Sequence, residues 1–284
     1  MSISATGFLS PDIARYVTKH RAAHQDVFRL ADALNGTAQA LIMTTKIPNP
    51  NGEMDRARVM VALLLVRTVS NFQGCIILCE RGLIVESRTL ARSCFESAAC
   101  LTAIAKHGDT AVQRMVENTI KAKKKRANAI KDGSLAGYVD DEQLTEVQAY
   151  LDENAEEGKR DFSIQEMANL GDLGPLYIFY RQLSADAAHP SIEALERYYN
   201  ETVRDGAQTL LWGPEIASRQ IDSTVLHACC FMISACNCAN DLFGNNEIGT
   251  RLAASFETYK TVMERYSVAS PARRNERSLV RHPA

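Results

Sequence analysis

Apolar residues recur at three- and four-residue spacing along most of the chain, the period of helices that each bury one face. The first such stretch begins at "SPDIARYVTKH". There Ser10 is a candidate N-cap, and Pro11 takes the first helical position, where a missing N–H costs nothing. It runs to about Ile47 and ends at "IPNPNGE", whose two prolines and glycine exclude regular structure. "EMDRARVMVALLLVRTVSNFQGCIILCERGL" then predicts a long, strongly apolar helix at the centre of a bundle. Helical spacing resumes from Ile84 to Lys106, with Gly108 as terminator and Asp109 as the next N-cap.

The helix from 109 to about 132 carries "KAKKKRANAIK". After the loop "DGSLAGYVDD", Asp140 starts a helix rich in Asp and Glu. These oppositely charged segments predict an antiparallel hairpin, about 109–160, standing off the body. "SIQEMANLG" offers a capping box from Ser163 to Glu166. "GPLYIFYRQLSADAAH" is a further helix, stopped at His189-Pro190 because a residue before proline is pushed toward extended geometry. Ser191 restarts a helix in "SIEALERYYNE". A less regular stretch with "LWGPE" leads to a helix from about 216 to Phe243, and the last helix ends near Ser267. Residues 268–284 lack periodicity and carry four arginines, the pattern of a flexible basic tail. No run combines period-two alternation with turn signals at both ends, so no strand is expected. The fold class is all-α: a single multi-helix bundle of seven to ten helices over 1–267, with a protruding charged helical hairpin.

Composition leaves that picture intact. Of 284 residues, 46% are hydrophobic and 23% charged, as in ordinary globular proteins, and a net charge of −2 gives no overall pull toward nucleic acid or anionic lipid. The start has no basic segment followed by an apolar one, so a cytoplasmic location is expected. The apolar run at 59–66 stops at Arg67, and the longer one around 225–243 is interrupted by His227, Asn237, Asn240 and Asp241, so neither reads as membrane-spanning. Eight cysteines sit inside apolar helical stretches with no C-x-x-C pair, the placement of reduced core thiols. No metal site and no cofactor is expected; P-loop, dinucleotide, metalloprotease and nucleophile-elbow motifs are absent from the sequence.

The unusual polar stripe lies in "ESRTLARSCFESAACL". Arg88, Arg92 and Glu96 are spaced i, i+4, i+8 and so share a helix face, flanked by Leu90, Phe95 and Leu101. One reading is an Arg92–Glu96 pair at the edge of the core. The other is a guanidinium poised for phosphate, with a carboxylate as base or orienter. The natural partner is "YIFYRQLSADAAHPSIEAL", in which Tyr177, Arg181, Ser184 and Ala188 lie near one face and Tyr180, Ser184, Ala187 and Ser191 beside it. His189 ends that helix, either as a cap for orphan carbonyls or as an acid/base group.

"RSCFES" on a core helix followed by "YRQLSADAAHPS" resembles an uncharacterised bacterial helical family of unknown function. The resemblance rests on Arg92, Ser93 and Glu96 and on Tyr180, Ser184, His189, Pro190 and Ser191, and covers about 55–245. It implies a helical fold and no established activity. A weaker likeness is to the HEPN ribonucleases, helical dimers with an arginine followed four to six residues later by histidine. Seven residues separate Arg181 from His189 here, and Gln182 replaces the usual polar residue. That likeness implies a metal-independent endoribonuclease, with His189 as acid/base on the ribose 2′-hydroxyl and Arg181 stabilising the phosphorane.

The concentrated positive run is Lys121, Lys123, Lys124, Lys125, Arg126 and Lys131, either a solvated face paired with the acidic helix or a site for RNA or another polyanion. Together these residues lead to an intracellular helical protein acting through an unidentified protein or RNA partner, in bacterial stress or phage defence. No membrane is involved, and a homodimer is allowed should the central helices leave apolar surface exposed.

Overall fold

Asp55 starts the longest helix. Its carboxylate accepts from the backbone N–H of Arg58 at 2.9 Å and satisfies one of the donors that a helix start leaves orphaned. The structure, a computed structural model, describes residues 3–47, 55–134, 139–158, 162–187, 192–195, 198–204, 207–210, 213 and 220–268. The helix, α4 (Arg56–Arg81), ends at Gly82, whose φ of 84° suits a residue without Cβ. Leu83 N then donates to Leu78 O and Gly82 N to Cys79 O, both at 3.0 Å, so the chain reverses at once into α5 (Ile84–His107).

Before this pair come α1 (Ile3–Thr6), α2 (Ile13–Ala23) and α3 (Gln25–Thr44). After it come α6 (Asp109–Ala129), α7 (Asp141–Glu153), α8 (Ile164–Leu170), α9 (Tyr177–Ala187) and α10 (Ile192–Leu195). A two-stranded antiparallel hairpin, β1 (Tyr199–Arg204) and β2 (Ala207–Leu210), precedes α11 (Ile221–Phe243) and α12 (Asn246–Val268). The architecture is all-α, a bundle whose core lies among α4, α5 and α11, with α3 and α12 on one flank and α8 and α9 against α5.

Four sequence expectations are corrected. The bundle's centre is α5, not the more apolar α4. Ala91, Cys94, Ala98, Ala99 and Ala103 on α5 are buried, and such small side chains let helices approach from several sides. α4 instead leaves Leu63, Val66 and Ile77 exposed, the feature tied above to a homodimer. By length and composition alone α4 and α11 could each cross a bilayer; here both contribute to the core.

The first long helix is two. It breaks at His24, whose φ/ψ of −119°/37° is not helical and whose Nδ1 lies 2.7 Å from Asp222 Oδ1 at the start of α11. Ser10 does not cap a helix at Pro11; its hydroxyl accepts from Asp12 N at 3.2 Å and α2 begins at Ile13.

The expectation of no strand fails at β1 and β2, paired Tyr199 with Leu210 and Arg204 with Ala207. The sequence between the last pair is Asp-Gly, the dipeptide most favoured in two-residue hairpins. Side-chain alternation is weak there, so periodicity passes over it. Residues 269–284, which hold nearly all of the expected basic tail, lie outside the described residues.

Candidate functional site

α9 lies along α5 because both helices bring rings to the contact. Phe95 of α5 stands 5.2 Å from the ring of Tyr180 and 6.3 Å from that of Tyr177, and on its far side 5.0 Å from Phe231 of α11. With Tyr180 fixed by this packing, its hydroxyl reaches the polar stripe of α5. It donates to Glu96 Oε1 at 3.1 Å and accepts from Arg92 Nη2 at 3.3 Å, while Arg92 Nη2 and Glu96 Oε1 are 3.0 Å apart. The Arg92 guanidinium also sits 5.3 Å from the centre of the Tyr180 ring. The sequence therefore identified three residues that do meet.

Burial acts to lower the Arg92 pKa, but the bonds to Tyr180 and Glu96 outweigh it and hold the guanidinium above its ordinary value. Burial pushes the Tyr180 phenol up; Glu96 adds to that and Arg92 opposes it. Tyr180 is thus a neutral hydroxyl bridging two opposite charges. Neither half of the ion pair is sealed: the side chains of Arg92 and Glu96 are 26% and 33% exposed. Arg92 Nε, by contrast, is buried with no hydrogen-bond partner among the described residues, a cost of about 1–3 kcal/mol that the pair must offset.

Arg88 lies one turn before Arg92, is 8% exposed, and donates from Nη2 to Gln182 O at 3.2 Å, a second tie between α5 and α9. Behind this contact lies His227 of α11, which the sequence shows as one polar interruption in an apolar run. Its ring stacks on Phe179 at 4.5 Å, and its Nδ1 is buried with no partner among the described residues. Burial, helped by the Arg88 charge, lowers its pKa to about 4, so His227 is neutral at physiological pH. A histidine in "VLHACCFM" could have been flagged on the rule that a buried imidazole asks for a partner.

The other candidates separate. Ser184 does not reach the Arg92 cluster; its hydroxyl donates to Tyr180 O in its own helix at 2.8 Å, because a serine inside a helix satisfies itself most readily four residues back. Arg181 is exposed and makes no contact with Arg92 or Glu96, since it follows Tyr180 by one residue, about 100° round the helix. His189, Pro190 and Ser191 lie outside the described residues.

The charged hairpin forms as α6 and α7, with the turn Ile130–Ser134 following α6. α7 is capped by Asp140, whose side chain accepts from Gln143 N at 2.8 Å while Gln143 returns a bond to Asp140 N at 3.1 Å. At its other end Lys124 Nζ donates to the carbonyl oxygens of Asn154, Ala155 and Glu157 at 2.9, 3.0 and 3.0 Å, placing a cation where a helix C-terminus favours one. Lys124 is therefore a clamp inside the hairpin and leaves the candidate polyanion set. Gly158 permits the closeness: its φ is +65°, and a Cβ there would lie 2.8 Å from Lys121 N. Lys123, Lys125 and Arg126 stay exposed, with no ion pair to a described residue. The expected side-by-side neutralisation is thus partial. At the base of the hairpin Arg114 pairs with Glu166, tying α6 to α8.

Among the described residues no three His, Cys, Asp or Glu side chains converge so as to hold a metal ion. The cysteines are free; six are buried, and burial pushes Cys100 and Cys236 up to about 12, far from a thiolate at neutral pH. In the α5–α9 cluster the Tyr180 hydroxyl meets the Glu96 carboxylate but is held neutral and shared with Arg92, so the cluster is a polar strut with one open edge.

Residues 58–207 match the family described as Family of unknown function (DUF5677), more than half of the chain. The matched segment contains Arg92, Glu96, Tyr180 and the whole charged hairpin. No curated protein and no solved structure matches the chain.

Proposed function

The chain belongs to this family of unknown function, and we propose that it is an intracellular binding protein that engages a protein partner through the α6–α7 hairpin. The observation that carries the reading is the hairpin's separated charge. Lys123, Lys125 and Arg126 are exposed on α6 with no ion pair to a described residue, while Asp141, Glu142, Glu146 and Asp152 line α7. Residues 109–158 hold seven basic and eleven acidic side chains, so a uniform polyanion such as RNA meets net repulsion. A protein surface carrying both signs in complementary order meets attraction on both arms. The hairpin is also held rigid, by Lys124, by the Asp140 cap and by Arg114–Glu166, so little ordering is needed on binding. The eight unpaired thiols suit a reducing compartment. The test is retention of a partner by the full-length chain and its loss when Lys123, Lys125 and Arg126 become glutamate.

The second reading, a metal-independent endoribonuclease using Arg181 and His189, draws on one observation: Arg181 is exposed and free of any ion pair among the described residues, as a phosphate-stabilising arginine must be. Cleavage of RNA by the wild type, abolished in His189→Ala without change in melting temperature, supports it. Absence of cleavage removes it.

A further inference from the structure

α3 and α12 run antiparallel. Arg265 near the end of α12 bonds Asp26 at the start of α3 at 2.9 Å, and Asn245, just before α12, bonds Thr44 at the end of α3 at 3.3 Å. Between these two ties the helices leave a groove of about 530 Å³, within the range of roughly 300–1,000 Å³ usual for small-molecule sites. It shares no residue with the α5–α9 strut or the charged hairpin. Small side chains open it: Ala33 on α3 and Ala254 on α12 lie on facing walls, and neither fills the space that a leucine would. Its floor is apolar, with Leu30 and Val262 both buried.

The polar lining is one-sided in its chemistry. The hydroxyls of Thr37, Ser255, Thr258 and Thr261 each donate to the carbonyl four residues back in their own helix, at 3.0, 3.0, 3.0 and 3.1 Å. Their protons are committed. The donors that remain are guanidinium groups: Arg29 and Arg251 are exposed and have no hydrogen bond or ion pair with any described residue, while Arg265 is held by Asp26. Three arginines against one aspartate leave the groove net positive. Residues 251 and 265 are fourteen positions apart in α12, about 21 Å along the helix at 1.5 Å per residue, so cations stand at both ends of a trough whose middle is lined by Ala33, Thr37, Ala254, Ser255 and Thr258 and whose apolar floor, Leu30 and Val262, lies toward the Arg265 end.

We propose that this groove binds an amphiphilic anion, a carboxylate or phosphate head on an unbranched apolar chain. The head is taken by Arg29 or Arg251 through charge-assisted bonds, and the chain lies on Leu30 and Val262. An apolar floor alone would accept any hydrophobe, and arginines alone would accept any anion. Their arrangement at the ends of one trough selects molecules that are both.

The test is calorimetric titration of the full-length protein with decanoate, decyl phosphate and decan-1-ol, each below its micelle concentration. Saturable one-to-one binding of decanoate or decyl phosphate is expected, with decan-1-ol at least about tenfold weaker. Which of the two anions binds more tightly assigns the head group to carboxylate or phosphate. Arg29→Gln combined with Arg251→Gln is expected to weaken binding about tenfold or more, and Ala254→Trp, which fills the trough from an exposed position, to abolish it. All variants should keep the wild-type melting temperature, since these sites are on the surface. Equal affinity for decan-1-ol, unchanged affinity in both variants, or no saturable binding of either anion overturns the assignment.

Discussion

The Tyr180 hydroxyl donates to Glu96 Oε1 at 3.1 Å across the contact between α9 and α5, and the same oxygen of Glu96 lies 3.0 Å from Arg92 Nη2. This relationship makes the polar stripe a strut before it is anything else. Tyr180→Phe keeps the ring packing on Phe95 and removes only the bridge, so a loss of about 1 kcal/mol in urea unfolding is expected, with an unchanged m-value. Arg92→Ala should cost about 1–2 kcal/mol, held down by the partial exposure of the pair. Wild-type stability in both variants would show that the bridge contributes nothing to the fold.

Lys124→Met removes three carbonyl bonds at the C-terminal end of α7 and keeps the stem of the side chain. Hydrogen exchange over 141–158 should rise by about tenfold or more while the melting temperature of the body stays within a degree or two, because the hairpin opens as a local unit. Gly158→Ala should produce the same local effect, since it forces a Cβ toward Lys121 N from a left-handed backbone. Protection unchanged in both variants would contradict the clamp.

His227 sets a pH dependence. Its folded pKa of about 4 lies below the ordinary 6.5, so between those values the unfolded chain binds a proton that the folded chain refuses. Stability is full above pH 6.5 and falls as the pH drops toward 4, by up to about 3 kcal/mol at 1.36 kcal/mol per unit. Denaturant unfolding between pH 7 and 4, compared with His227→Phe, checks this. The variant should lack that part of the slope.

Gly171, just after α8, lies against α5 so closely that an added Cβ would come within 2.8 Å of Thr102 Cβ and 3.0 Å of Ala103 N. Gly171→Ala should push α8 off α5 and lower stability by about 1–3 kcal/mol. A melting temperature equal to that of the wild type would contradict this packing.

Much of the fold was legible because helical periodicity and end signals act locally. Gly108, Asp140 and Ser163 mark helix ends that need no tertiary information. What was illegible depended on contacts distant in sequence. The break at His24 accompanies a hydrogen bond with Asp222, and the central position belongs to α5 because alanines and cysteines, modest in hydropathy, admit close neighbours. The Arg92–Glu96–Tyr180 cluster was legible because an i,i+4 pair and an aromatic hydroxyl on another helix each leave polar groups in need of a partner. His227 was not, since one histidine in an apolar run looks the same whether it faces solvent or a phenylalanine ring. Lys124 was grouped with its neighbours for want of knowing where α7 ends.

The most direct test of the central claim is a crosslinking pull-down with full-length wild-type protein and the Lys123→Glu/Lys125→Glu/Arg126→Glu variant, each with and without nuclease treatment, with retained proteins identified by mass spectrometry. The account predicts a defined protein partner, crosslinked to α6 or α7, that resists nuclease and is lost in the variant at unchanged melting temperature. Retention of the same partner by the variant, or its release by nuclease, would contradict it.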